Sequence, residues 1–160
     1  MFKIRRICRN DNLNVSNVLR KVLIEIGVPK KGTAYSDPEL DFMFETYNKK
    51  RSIYYVVEKS EKIYGGAGIS HLNEADFDIC ELQKMYFLPT ARGMGIGDLM
   101  IEKCLSFALK NKFRYCYIET LPYMRAAQKL YLKKGFSYID YPIGNTGHTS
   151  CNVWLIKKLK

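Results

Sequence analysis

The run Arg92-Gly93-Met94-Gly95-Ile96-Gly97 carries the chemistry most readily read from this sequence. Its glycines stand at alternate positions and have no Cβ, so a ligand can come close to the backbone. The residues after it recur at helical spacing: Ile96, Met100, Cys104 and Phe107 form a stripe that Ile101, Leu105 and Ala108 widen. A strand-like run, Cys80 to Leu88, and a Pro89-Thr90 turn signal come before it. A glycine turn that opens a helix presents free amides at the positive end of the helix dipole. Such a place holds a phosphate or pyrophosphate, and Arg92 adds a fixed charge. A tight turn with no ligand is the alternative. Glu81 is the second residue that asks for a chemical reason. It is an acid in a run otherwise rich in apolar side chains, which suits either an ion pair or a general base.

The phosphate ligand narrows by exclusion. A nucleoside triphosphate loop ends in Gly-Lys-Ser/Thr, and here Gly97 is followed by Asp98. The dinucleotide fingerprint needs a third glycine where Asp98 stands, although Glu119 lies about 20 residues on, where that fingerprint wants an acid. A doubly wound dinucleotide domain also needs more strand–helix units than this chain supplies.

The elements around these residues follow from periodicity. Lys3 to Ile7 reads as a strand. Val15, Val18, Leu19, Val22, Leu23 and Ile26 stripe a first helix, closed by Gly27 with Pro29 beyond. Asp37-Pro38 reads as a cap and first position of a second helix, striped by Leu40, Met43, Phe44 and Tyr47. Ile53 to Glu58 and Lys62 to Ile69 form a hairpin, with Gly65, Gly66 and Gly68 marking a bulge or a close backbone approach. His71 to Asp76 is a polar loop in which His71 reads as solvated. The central strand, Phe77 to Leu88, breaks its alternation between Leu82 and Met85, which a bulge near Gln83–Met85 explains. Arg114 to Thr120 is the next strand. Pro122 opens a fourth helix with Tyr123, Ala127, Leu130 and Tyr131 on one face, closed by Gly135. Phe136 to Tyr141 and Cys151 to Ile156 are the last strands, joined by the loop Pro142 to Ser150 that carries His148. The expected architecture is α/β: one domain over residues 1–160, with four helices flanking a mixed, mostly antiparallel sheet of about seven strands.

Composition sets the outer bounds. With 160 residues, 47% hydrophobic and 26% charged, the chain suits one domain with a real core. No apolar run approaches the about 18 residues of a membrane span, and no signal core follows the first charges, so a cytoplasmic place and no membrane partner are expected. The cysteines Cys8, Cys80, Cys104, Cys116 and Cys151 are scattered and form no C-x-x-C pair, which argues against zinc and dithiol chemistry. A net charge of +10 invites nucleic acid. Yet the basic residues are spread along the chain, and no recognition helix or stacking motif accompanies them, so no nucleic-acid partner is expected.

Arg92-x-x-Gly95-x-Gly97 resembles the coenzyme A pyrophosphate motif of the GNAT superfamily of N-acetyltransferases. Glu81 to Pro89 resembles that family's fourth strand, and Ala127-x-x-Leu130-Tyr131-x-Lys133-x-Gly135-Phe136 its fourth helix and sixth strand. The ending Gly147-His148-Thr149-x-Cys151-x-Val153-Trp154 is similar to a bacterial, small-substrate subgroup. The resemblance implies acetyl-CoA as co-substrate, no metal, and direct transfer of an acetyl group to the primary amine of a small molecule or amino acid. A non-catalytic acyl-CoA sensing module on the same fold is the alternative, and a homodimer is left open.

The resemblance also implies roles. The cofactor residues are Arg92, Gly93, Met94, Gly95, Ile96, Gly97 and Asp98, with Met85, Tyr86 and Phe87 along the pantetheine arm. Tyr131 faces the coenzyme sulfur as acid or hydrogen-bond donor to the leaving thiolate, and Glu81 is the candidate base. The first two helices flank the acceptor, which makes Tyr35 and Phe42 candidate contacts, with ordinary packing as the alternative. His148 is a candidate for an acceptor carboxylate or a second base. One departure stands out: where many members carry Asn, seven residues before Tyr131, this chain has Met124.

Overall fold

The computed structural model describes every residue, Met1–Lys160. The elements run β1 (Lys3–Arg6), α1 (Asn12–Glu25), a 3-10 turn (Pro38–Asp41), α2 (Met43–Tyr47), β2 (Ile53–Lys59), β3 (Lys62–His71), β4 (Ile79–Phe87), α3 (Ile96–Lys110), β5 (Tyr115–Thr120), α4 (Arg125–Lys133), β6 (Ser137–Ile139) and β7 (Val153–Lys158). One 7-stranded sheet takes the order β1-β2-β3-β4-β5-β7-β6. Every pairing is antiparallel except β4 with β5. The apolar stripes bury two cores, one on each face of the sheet. Met100, Ile101 and Cys104 of α3 pack on Leu82 and Ile118, while Leu19 and Leu23 of α1 pack with Met43, Tyr47 and Tyr54.

The expected bulge lies in β4. Gly66 pairs with Tyr86 and Gly68 with Gln83, so Lys84 and Met85 together oppose the single residue Ala67. Lys84 sits at φ +50°, a left-handed conformation that is strained for a lysine. The extra residue returns Leu82, Met85 and Phe87 to one face, against the α3 core. It also turns Lys84 to the opposite face, with Gln83. Without the bulge, strict alternation would send a charged lysine into the apolar core beside Leu82. The missing Cβ atoms of Gly66 and Gly68 make room for the ring of Tyr54, and that of Gly68 for Tyr47 as well.

Three elements differ from expectation. The second helix is interrupted: Pro38–Asp41 forms a 3-10 turn and Phe42, at φ −134°, leaves helical geometry before α2 begins. The fourth helix starts at Arg125, after Leu121–Met124 closes a turn of its own (Met124 N to Leu121 O, 3.1 Å). β6 spans only Ser137–Ile139 because the chain leaves the sheet before Pro142, which has no amide to donate, and crosses over the carboxyl ends of β4 and β5.

Candidate active site

β4 and β5 pair through Ile79–Tyr115, Cys80–Cys116 and Glu81–Tyr117, and then part. Both continue past that point, so a wedge opens between them. Its walls include Met85, Tyr86, Ile118, Leu121, Met124 and Tyr131. Met124 lies in the wall and takes a weak hydrogen bond from the Thr120 hydroxyl (3.5 Å to Sδ). Tyr131 is buried, packs on Phe136 and makes no hydrogen bond through its hydroxyl, and burial pushes its phenol above its ordinary value.

The glycine turn lies beyond the wedge. Gly93 and Gly95 take φ of +72° and +74°, and a Cβ on either would meet nothing within 4 Å. The amides of residues 93–98 donate to no acceptor in the chain. A left-handed turn with open space and a run of unpaired amides fits a pyrophosphate. Gly97 serves packing instead, since a Cβ there would lie 2.8 Å from Leu130 of α4. Arg92 holds both Glu25 oxygens (2.9 and 2.8 Å) and donates Nε to the Phe87 carbonyl (2.8 Å). That bond occupies a backbone acceptor that the resemblance assigns to the pantetheine arm. Asp98 turns from the glycine turn to Lys133 (2.8 Å) and Lys134 (3.0 Å), so it tethers α4 rather than facing a phosphate.

Glu81 is 5% exposed and lies where the wedge meets a second cavity. Gln83 donates Nε2 to Glu81 Oε1 (2.6 Å), and the Tyr47 hydroxyl donates to Gln83 Oε1 (2.6 Å). The Tyr47 bond fixes the amide so that its NH2 side faces the carboxylate. Burial raises the Glu81 carboxyl, and the Gln83 hydrogen bond offsets this only in part, leaving it at about 7. Oε2 accepts no hydrogen bond from the chain.

Beside Glu81 lies a charged cluster that the bulge creates. Lys84 Nζ, nearly buried, sits 2.9 Å from Asp37 and 3.4 Å from Glu39. His148 Nε2 is 2.9 Å from Asp37 as well. Burial alone would raise Asp37 and lower His148; their mutual hydrogen bond, with Lys84 helping Asp37, outweighs it and reverses both shifts. Asp37 therefore caps nothing with its side chain. It joins the bulged strand to a strap, residues 142–150, that crosses the site. The strap is tied at Asn145 N to Asn73 O (2.8 Å), Thr146 Oγ1 to Glu119 (2.5 Å) and Ser150 N to Gly32 O (2.9 Å).

The His148–Asp37 tie has a defined pH window. His148 lies above its ordinary 6.5, so its contribution is full below 6.5 and is lost as pH rises through its raised value. Asp37 lies below its ordinary 3.8, so its share is lost only as pH falls through that lower value. Amide exchange across residues 142–150 is expected to quicken as pH rises through the raised value of His148, after correction for intrinsic rates. Asp37→Asn is expected to remove that pH dependence.

The second cavity, about 520 Å³, lies on the α2 side of the sheet, and Leu72 is the one apolar residue in its wall. Glu81, Gln83, Lys84 and His148 line both it and the wedge. His71 reaches its wall too, with Nε2 3.1 Å from the Ala75 and Asp76 carbonyls, and is thus held rather than merely solvated. Tyr35 and Phe42 line neither. Tyr35 packs in the α1 core under Lys30, and Phe42, where the backbone leaves helical geometry, is 61% exposed. Sequence reasoning missed Tyr47, Asp37 and Lys84. The signal for Lys84 was a lysine at the break in alternation. No group of His, Cys, Asp or Glu is placed to hold a metal ion, and no helix is long and apolar enough to cross a membrane.

Comparison with known proteins agrees with this geometry. Residues 21–136 match the Acetyltransferase (GNAT) family. An uncharacterized N-acetyltransferase of Escherichia coli (strain K12), YjgM, is 39% identical over 157 residues, covering 98% of this chain and 94% of its own. Among solved structures, a GNAT-family acetyltransferase from Staphylococcus aureus Mu50 superposes over 100% of both chains with a TM-score of 0.87 at 18% identity. The structure of yncA from Salmonella typhimurium with its cofactor acetyl-CoA covers 99% of this chain and 94% of that one, with a TM-score of 0.79 at 14% identity. The splayed β4–β5 pair, the glycine turn on α3 and these matches together establish that the chain belongs to the GNAT acetyltransferase family.

Proposed function

We propose that this acetyltransferase moves the acetyl group of acetyl-CoA directly to the amine of a small acceptor while both are bound. One observation carries the reading: Glu81, Gln83, Lys84 and His148 form the shared wall of the wedge and the polar cavity. A donor in the wedge and an acceptor in the cavity would meet only there. Acetyl-CoA supplies a thioester-activated acetyl group when bound. Its pyrophosphate would be held by the amides after Arg92, and its arm would lie along Met85 and Tyr86.

The remaining work falls to this chain's side chains. An alkylammonium has a pKa of about 10 and must lose a proton before it can attack. Glu81, at about 7 and with Oε2 free, takes that proton at neutral pH. Gln83 and Tyr47 hold its other oxygen still. Tyr131, with an unpartnered hydroxyl and a raised pKa, donates a hydrogen bond to the departing sulfur.

Thiol release from acetyl-CoA against a panel of amines tests the reading. Turnover with any amine supports it. Coenzyme A binding without turnover favours a sensing module, and no coenzyme A binding removes the assignment of residues 92–97. Gly95→Ala is expected to weaken coenzyme A binding roughly tenfold, equivalent to about 1.4 kcal/mol, because its Cβ enters the space the ligand needs. The left-handed φ adds about 1 kcal/mol of destabilisation, so the variant should still fold.

A further inference from the structure

We propose that the acceptor is a small zwitterion, an amino acid or short peptide, whose ammonium faces Glu81 and whose carboxylate lies at Lys49 and Lys50. This rests on the transfer reading above and names the substrate class of that same cavity.

The charges in the cavity differ in burial. Glu81 and Asp37 are the more buried acids and Glu39 a half-exposed one, with Lys84 shared between the last two. His148 completes the balance on Asp37. Glu81 Oε2 is held by no residue of the chain. Glu39 also has an unheld oxygen, but Glu39 does not line the wedge, so Glu81 is the acid that an ammonium meets where the two cavities join. Lys49 and Lys50 also line the cavity, both exposed, and neither forms a salt bridge or side-chain hydrogen bond. Neither lysine pairs with a carboxylate of the cavity: Asp37 is engaged by Lys84 and His148, and Glu39 meets Lys84 through one oxygen. Two unpaired cations at the mouth and a free carboxylate oxygen at the join match a molecule carrying one charge of each sign.

The same features reject other amines. A polyamine would bring a second cation to Lys49 and Lys50, where like charges repel. An aromatic or long-chain amine would gain little, because Leu72 is the one apolar side chain in the wall. Apart from the charged groups and the two histidines, the rest of the wall is hydroxyl and amide, including Ser52 and Ser70, whose hydroxyls lie 2.9 Å apart, and Asn73, Asn145 and Thr146. The volume, about 520 Å³, admits a free amino acid or a dipeptide.

The test measures kcat/KM for pairs that differ only in the carboxylate: L-serine against ethanolamine, L-glutamine against 4-aminobutanamide, and glycylglycine against glycylglycinamide, with spermidine as the polycation. In at least one pair the carboxylate form is expected to be favoured about tenfold, with spermidine poorer than either member. Lys49→Glu/Lys50→Glu is expected to erase that preference through KM for the acceptor, leaving KM for acetyl-CoA and the melting temperature unchanged. Equal or better use of the amines without carboxylate, or a preference that survives in the double variant, overturns the proposal and leaves acetyl transfer standing. Release of thiol with none of these amines, despite coenzyme A binding, overturns the transfer reading and this one with it.

Discussion

Glu81→Gln is expected to lower kcat/KM at pH 7 by about a hundredfold to ten-thousandfold, the range in which a positioned general base contributes. The substitution keeps the shape and the Oε1 acceptor that Gln83 uses, so only the proton-taking oxygen is lost. Activity of the unaltered protein should rise with pH through about 7 as this carboxyl ionises. The variant should lack that limb. Stability should move the opposite way. An acid whose folded value is raised from 4.5 to about 7 makes the native state the better proton binder between those values, so stability falls as pH rises across that range. The variant avoids the buried charge and is expected to be more stable at pH 8, by on the order of 1–3 kcal/mol. At pH 4 the two should be alike. A denaturant series at the two pH values, set beside the rate profile, separates a base from an ion-pair acid. An acid kept for an ion pair would show loss of stability at pH 8 and an unmoved profile.

Tyr131→Phe is expected to cost about tenfold to a hundredfold in kcat, with KM for acetyl-CoA changed little. A thiol has a pKa of about 8.5 and a phenol about 10, and burial lifts Tyr131 further. Full transfer of its proton to a thiolate is therefore uphill. A hydrogen bond to a charged partner is worth about 1.5–3 kcal/mol, which sets the size of the effect. The hydroxyl has no partner in the chain to lose, so its removal should leave the fold intact. Unchanged kcat across pH would end the role. Equal losses in kcat and in coenzyme A affinity would mark the residue as packing rather than chemistry.

The parts of the site visible in the sequence are those written in consecutive residues. The turn at 92–97, the helix stripe after it and the break in alternation at Gln83–Met85 are local patterns, and each lies where its pattern placed it. The face of Tyr131 was equally legible from its stripe. What stayed hidden depends on pairings far apart in the chain. Asp37, Lys84 and His148 come together only because a bulge turns one lysine and a strap brings back a histidine across 111 positions. Read locally, Asp37 before Pro38 is a helix cap, and the tertiary ion pair overrides that preference. Phe42 was a candidate only because the resemblance sets the second helix beside the acceptor; the backbone leaves helical geometry at that residue and its side chain is exposed. Glu81 stands out in the sequence as an acid in an apolar strand, but its Tyr47–Gln83 support spans 36 positions and left no local trace.

The sheet order also has a consequence for how the site is made. β5 is held between β4 and β7, and its pairing with β4 ends after Glu81–Tyr117. Its full-length partner is β7, which binds it from Tyr115–Lys158 to Thr120–Val153. During synthesis the glycine turn and α3 leave the ribosome well before that partner exists. The nascent chain can therefore form its glycine turn while one wall of the wedge still has an open edge. Domains that close on a late strand expose unpaired edges until it arrives. A nascent chain of this protein should become able to hold the coenzyme's arm only when Val153–Lys158 has docked, however early its nucleotide end could be grasped.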